Sequence, residues 1–390
     1  MLRLAIVTHK VDRQDGQGRV NYEIIRAALE KGYEVTVVAE FCSDDIANHP
    51  RGRFVRMRKR SVPTQMLRNL YFAEKSARWL RDHRSEFDII QANGFVTWEP
   101  ADIVAVHFVH AAWLRNRFFP FHWNSFSPYA WYQRGLALMN AYYERAAFTN
   151  AQWLIAVSGA TAKEVTDLGV PANKVRVIYN GVDIEEFRPA SVSNPPQRGS
   201  FGLPESALLA LFAGDIRTPR KNLEAVLTAI EAIPDAHLAV AGSLEGSPYP
   251  EYVRQRGLSE RVHFVGKTLQ MSALMRSVDL FVLPSRYESF GMVVLEAMAS
   301  GLPVILSSMV GAVELVKGVC RVIADPDDTA ELTRAIAELL HSPQTRAAMG
   351  QAGREIALQV QWSRTAGAYL AVYEECAASS ASARDSAQAI

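Results

Sequence analysis

Short apolar runs bounded by polar turns recur along the chain, alternating with stretches where apolar residues return every three or four positions. Residues 2–8, 34–39, 87–91, 101–107, 152–158 and 174–179 read as buried strands. So do 207–213, 237–241, 262–265, 279–283 and 304–306. Helical spacing is seen in 19–31, 221–233, 292–300 and 329–340. Near-continuous apolar strands separated by helices predict α/β architecture, with doubly wound parallel sheets covered on both faces. Ser, Pro and Gly crowd 191–202, which predicts a linker. The expected organisation is a first Rossmann-like domain over 1–190, the linker, a second such domain over 203–360, a closing helix over 361–376 and an Ala/Ser-rich disordered tail over 377–390.

The length of 390 residues exceeds one ordinary core, in keeping with two domains. A formal net charge of only +1 argues against a dedicated nucleic-acid binder. The charge is uneven, however. Residues 1–190 carry 25 Lys/Arg against 20 Asp/Glu, leaving 17 against 21 for the remainder. The excess is concentrated in 51–84, where eleven basic residues face two acids and Met57, Met66, Leu67, Leu70, Tyr71, Phe72 and Trp79 are interleaved. Two readings of that stretch stand side by side: peripheral contact with an anionic membrane, or an ordinary surface helix with its apolar face in the core. Cys42, Cys320 and Cys376 are too few and too scattered for a disulfide framework or a zinc site, which predicts a reducing, cytoplasmic setting.

The chemistry gathers in residues 284–303, PSRYESFGMVVLEAMASGLP. A strand leads in, Gly291 allows close backbone approach to a ligand, and a helix follows whose first N–H groups form an anion site. Glu288 lies in the loop and Glu296 two turns into the helix. Two carboxylates bracketing a phosphate-ready helix tip suit a nucleotide sugar: one group for each sugar ring, donors for the diphosphate between. Upstream, Arg217, Arg220 and Lys221 cluster where a helix is expected to start, which is electrostatically unfavourable for the helix alone and sensible beside a dianionic phosphate. In the first half, Asp15 in the loop after the first strand suits either an acceptor hydroxyl or a helix cap. The aromatic-rich stretch 113–132, with Arg115 and Arg117, suits acceptor binding by stacking and phosphate pairing, or core packing. The acidic run 325–328 reads as a turn and cap, and no other cluster has metal-ligand spacing.

The E-x7-E pattern of Glu288 and Glu296, between Pro-Ser and a Gly-x-Pro turn, resembles the signature of retaining glycosyltransferases of family four, the lipopolysaccharide glucosyltransferase and phosphatidylinositol mannosyltransferase group. The resemblance covers nearly the whole chain. It implies the GT-B architecture, two facing Rossmann-like domains with the active site in the cleft and the closing helix crossing back to the first. It also implies hexose transfer from a nucleotide diphosphate sugar to a hydroxyl of a glycan or lipid-linked acceptor, with retention and without a metal. UDP-glucose is the default donor, GDP-mannose the next, in cell-surface polysaccharide or lipopolysaccharide synthesis at the inner membrane face. By resemblance, Lys221, an Arg nearby (Arg217 or Arg220, since Asp215 stands where the family has one) and the N–H groups of Gly291, Met292 and Val293 hold the diphosphate. Glu296 holds the ribose. Glu288, with the backbone of Ser289 and Phe290, holds the hexose. Gly266 and Lys267 recognise the base, Gly16 fits the second of the two adjacent loop glycines that touch the diphosphate and acceptor (Asp15 departs from the first), and His110 contacts the donor sugar. A nucleotide-sugar epimerase of similar build and a non-catalytic sugar-nucleotide binding protein are the alternatives.

Overall fold

The computed structural model describes residues 1–58, 62–122 and 126–388, with 380–388 described by backbone alone. Lys59 and Arg60 of the basic stretch, Trp123 of the aromatic stretch and residues 389–390 of the expected tail lie outside the described residues. The chain forms two compact units, one of Met1–Asn180 together with the chain from Trp362 onward, the other of Gly181–Gln361.

The first unit holds seven parallel strands: β1 (Arg3–Val7), β2 (Glu34–Ala39), β3 (Gly52–Arg56), β4 (Ile89–Asn93), β5 (Ile103–Val106), β6 (Trp153–Ala156) and β7 (Val175–Val177). Their order is β3-β2-β1-β4-β5-β6-β7. Val7, Val38, Ile90, Val104 and Leu154 are fully buried with Phe72 and Phe148 from the covering helices, which is why these strands read as continuous apolar runs. The second unit holds β8 (Leu208–Ala213), β9 (Ala236–Ala241), β10 (Val262–Gly266), β11 (Leu280–Leu283), β12 (Val304–Ser307) and β13 (Arg321–Ile323), ordered β10-β9-β8-β11-β12-β13. Both sheets reverse winding direction once, between β1 and β4 and between β8 and β11. The crevice beyond the carboxyl ends of those strands is where a doubly wound sheet binds its ligand.

Four departures from the sequence reading have physical causes. Strand β3 was hidden inside the basic stretch, because an edge strand keeps polar residues on its open side; only Phe54 and Val55 break its run of Gly and Arg. Residues 181–190 pack with the second unit. Val182 pairs with Gln361, and the Arg354 guanidinium donates to Phe187 O at 2.7 Å and Ile184 O at 3.2 Å. The segment 191–202 is not free either: Arg198 donates to Ser277 O at 2.9 Å, Ala207 O at 2.8 Å and Asp279 at 2.9 Å. Finally, the last helix runs Trp362–Gln388 through the expected disordered tail, as an alanine-rich stretch can once a packed helix has nucleated it. Its packed part is tied to the first unit by the Tyr373 hydroxyl on Gln91 Oε1 at 2.6 Å and by Glu374, which accepts from Tyr33 at 2.7 Å.

Candidate active site

The second unit supplies the charged centre. After β8 the chain does not enter a helix at Lys221, as the spacing suggested. Pro219–Lys221 is a single 3-10 turn, Asn222 turns left-handed at φ 60°, and the helix begins at Leu223. The turn is anchored from below. Asn222 Nδ2 donates to Pro326 O at 2.6 Å, Arg286 N to Arg220 O at 2.8 Å, and Arg286 Nε to Asp327 Oδ1 at 2.8 Å. Asp327 thus fixes the loop that carries the cations, a role the sequence reading missed in assigning 325–328 to turn and cap alone. The cap itself is Asp328, which accepts from Glu331 N at 2.8 Å. A buried asparagine followed by a helix was the available signal.

Lys221 donates directly to the Glu288 carboxylate, and Arg220 Nη1 lies 3.6 Å from the same oxygen while donating to Tyr287 O at 3.2 Å. Burial, then the adjacent Arg220, pushes the Lys221 ammonium down to about 7, with Asp215 pulling it up. Lys221 touches the Glu288 carboxylate, an opposite charge that favours its ammonium form. Of the two candidate arginines, Arg220 joins this centre. Arg217 is exposed and occupied by Asp215, at 2.8 and 3.3 Å.

Glu288 is held by its own backbone. Its N donates to Met309 O at 3.2 Å, and its carbonyl accepts from Gly311 N at 2.8 Å. Phe290 is buried, and its carbonyl accepts from Ala312 N at 2.8 Å. Gly291 then turns at φ 91° and the helix Met292–Ala299 begins, with no side chain capping its first turn. A Cβ at 291 would stand 2.9 Å from Val310 Cγ1 and 3.3 Å from Glu288 Cγ, so only glycine fits. An uncapped first turn of this kind, here with Met292 and Val293, leaves backbone N–H groups in the geometry that suits an anion. Glu296 is half-buried on the same helix, and Ser289 is buried in the loop. Gly266 and Lys267 lie apart from this centre, at the end of edge strand β10, where exposed Lys267 lines a pocket of about 440 Å³ with Phe264 and Ser200.

In the first unit, Asp15 is the N-cap of the helix Gly16–Glu30, accepting from Gly18 N at 2.9 Å. The glycine that the packing demands is Gly18, where a Cβ would meet Asp15 Cβ at 2.9 Å; Gly16 is exposed in the first turn. A pocket of about 790 Å³ opens beyond the ends of β1, β2 and β3, lined by Thr8, Lys10, Gln17, Glu40, Arg56 and Arg58 among others. Arg115 and Arg117 are exposed and are not among its lining; Arg117 lies over the Phe118 ring at 4.4 Å. Neighbouring aromatics pack on one another, Trp113 on Phe119 and Phe119 on Phe121, both at 5.6 Å.

His110 is clamped at both ring nitrogens. Nδ1 is 2.6 Å from Glu144 Oε1 and Nε2 is 3.2 Å from Asn140 Nδ2, while the His110 backbone N–H donates to Glu144 at 2.9 Å. Glu144 is nearly fully buried, and this fixes the ring as an Nδ1–H donor to the carboxylate. His107 is pushed down to about 4 by burial and stays neutral.

In the basic helix Gln65–His83 the apolar residues Phe72, Ala73, Ala77 and Leu80 are buried in the core. The helix thus has a core-facing apolar side, with Leu67 and its basic residues Arg68, Lys75, Arg78 and Arg81 on the surface. Among the described residues no helix is long and apolar enough to cross a membrane.

Comparison with known proteins bears on the family and the fold. The family model described as Glycosyltransferase Family 4 covers residues 14–186, and that described as Glycosyl transferases group 1 covers 193–356. The chain is 28% identical to a D-inositol 3-phosphate glycosyltransferase of Mycolicibacterium smegmatis over 389 residues, 91% of this chain and 86% of that one. It is 26% identical to an MMP alpha-(1->4)-mannosyltransferase of Mycolicibacterium hassiacum, over 79% of this chain and 75% of the relative. Among solved structures, sucrose-phosphate synthase from Thermosynechococcus elongatus superposes with a TM-score of 0.79 at 22% identity, covering 97% of this chain and all (100%) of that one. WaaG, a glycosyltransferase of lipopolysaccharide biosynthesis, gives 0.73 at 20% identity over 94% and 98%. The chain belongs to the glycosyltransferases of family four and has their GT-B fold.

Proposed function

We propose that this glycosyltransferase moves a hexose from a nucleotide diphosphate sugar to an acceptor hydroxyl with retention of anomeric configuration. The bond from the anomeric carbon to the diphosphate oxygen breaks, the bond to the acceptor oxygen forms, and the acceptor proton passes to the departing phosphate. Negative charge therefore grows on the diphosphate, and fixed donors there lower the barrier most. The observation that carries the reading is the convergence of Lys221 and Arg220 on Glu288 beside an uncapped helix tip, at the winding switch of the second sheet.

In this reading Lys221, Arg220 and the first-turn N–H groups hold the diphosphate and do without a metal. Glu288 and the loop backbone orient the hexose, Glu296 the ribose, and Gly266–Lys267 the base, while His110 is given to the transferred sugar. UDP-glucose remains the first donor to test and GDP-mannose the second; one relative is named a mannosyltransferase. Another relative is named for D-inositol 3-phosphate, which widens the acceptor panel from glycans and lipid-linked sugars to cyclitols. Incubating the protein with each donor and acceptor and reading the product anomer by proton NMR tests the proposal. An inverted product, or donor binding without transfer to any acceptor, would overturn it.

A further inference from the structure

We infer that the pocket of the first unit takes a phosphate ester, so that the acceptor is a phosphorylated polyhydroxy compound with its phosphate on Arg56 and Arg58. The inference rests on the hexosyl-transfer reading above. The pocket lies beyond the carboxyl ends of β1–β3, the side of the winding switch that a doubly wound sheet uses for ligands.

Its charges are not balanced. Lys10 is occupied by Asp12 at 2.7 Å and by Asp15 at 3.6 Å, and Asp15 is also the helix cap. Arg56 and Arg58 line the same pocket, are exposed, and have no ion pair or side-chain hydrogen bond among the described residues. A smaller cleft adjoins at Arg58 and Glu40 and adds Arg68 and Lys75. Five cations (Lys10, Arg56, Arg58 and, in the adjoining cleft, Arg68 and Lys75) thus stand against two lining carboxylates, Glu40 and the Asp15 that Lys10 and the helix cap already engage. Like charges so placed repel, and nothing in the fold requires them, since the Gln65–His83 helix buries its apolar side without their help. Guanidinium pairs match phosphate oxygens in a planar, two-point geometry that a carboxylate-poor site leaves available. Thr8, Gln17 and Glu40 supply the hydroxyl, amide and carboxylate that a polyol ring needs.

The phosphate could belong to a soluble sugar phosphate or to a phospholipid headgroup, and two arms separate them. Calorimetric titration of the full chain uses hexose 6-phosphates and inositol monophosphates, each against its unphosphorylated parent. Flotation uses phosphatidylcholine vesicles with and without phosphatidylinositol. The expected result is a preference for the phosphorylated form of at least about tenfold, falling as salt is raised. It should collapse in an Arg56→Gln/Arg58→Gln double variant whose melting profile matches the parent. A preference confined to the soluble arm assigns a free sugar phosphate, and one confined to vesicles assigns a lipid. Equal binding of phosphorylated and parent compounds in both arms overturns the inference, as does a preference that survives in the double variant. Nucleotide-sugar binding by the unmodified protein, measured alongside, separates these outcomes from failure of the hexosyl-transfer reading.

Discussion

Lys221 donates to Glu288 across 67 residues of sequence, joining the two loops that follow the central strands of the second sheet. The contact brings together the cation and the carboxylate that the proposed reaction assigns to adjacent parts of one donor. Lys221→Ala should lower kcat/KM for the nucleotide sugar by at least about 2 kcal/mol of transition-state stabilisation, the scale of one lost oxyanion donor. Steady-state kinetics with a fixed acceptor provide the check, and near-normal turnover would remove Lys221 from the diphosphate.

The pH profile should report the same contact. Burial, then Arg220, pushes Lys221 down to about 7, while the touching Glu288 carboxylate favours its charged form. The parent's activity should fall as pH rises through about 7, where the cation discharges, and with Glu288→Gln the ammonium loses that support, so the fall should come at lower pH. The parent should stay active to higher pH. Superimposable profiles would mean that Glu288 does not control the lysine.

Gly291→Ala should be costly on two counts, a left-handed backbone at φ 91° and a methyl 2.9 Å from Val310. Strain of this kind costs on the order of 1–3 kcal/mol. Thermal melting and nucleotide-sugar affinity should fall together. A variant with unchanged melting and affinity would show that the loop does not need this turn.

Asp327 touches neither Lys221 nor Glu288 in any contact described above, yet it holds Arg286 and Asn222 beneath the cation-bearing turn. Asp327→Ala should raise the donor KM by roughly 1–3 kcal/mol of lost positioning, the cost of unpaired partners. Asp327→Asn, which keeps an oxygen acceptor, should recover part of it. A donor KM unchanged in Asp327→Ala would refute the role.

Stability should fall in mild acid in part through one histidine pair, buried His107 acting in the same sense. His237 Nδ1 and His263 Nε2 stand 3.0 Å apart on adjacent strands. Burial, then Arg261, lowers His237; burial, then His237, lowers His263, with Glu260 opposing. A depressed folded value means the unfolded chain binds more protons. The contribution is therefore complete above the unfolded value of about 6.5 and is lost as pH falls from there through the folded values. His341, raised by Asp235, works in the opposite sense. The measurement is therefore a difference: urea unfolding of the parent and of His263→Asn across this range. The parent should lose more stability than the variant, and equal losses would refute the assignment.

How much of this was legible in the sequence depends on where the signal is local. Most strands were visible because a parallel sheet covered on both faces needs unbroken apolar runs, as in Leu280–Leu283. The Glu288–Glu296 stretch was visible because a strand, a glycine and a helix adjoin there in sequence. Strand β3 was obscured by edge-strand arginines. The choice between Arg217 and Arg220 was not legible, because it turns on which arginine Asp215 occupies. Asp327 and Glu144 were missed for a related reason: each acts through residues distant in sequence, 41 away for Arg286 and 34 away for His110. Arg56 and Arg58 were seen only as part of a basic stretch, since their separation from carboxylates is a property of the folded pocket.

The central claim is that a leaving diphosphate is stabilised by Lys221, Arg220 and the helix tip after Gly291, with no cation from solution. Turnover of the nucleotide sugar after exhaustive dialysis against a chelator tests it most directly. The rate should persist unchanged. A rate abolished by the chelator and restored by a divalent cation would contradict it.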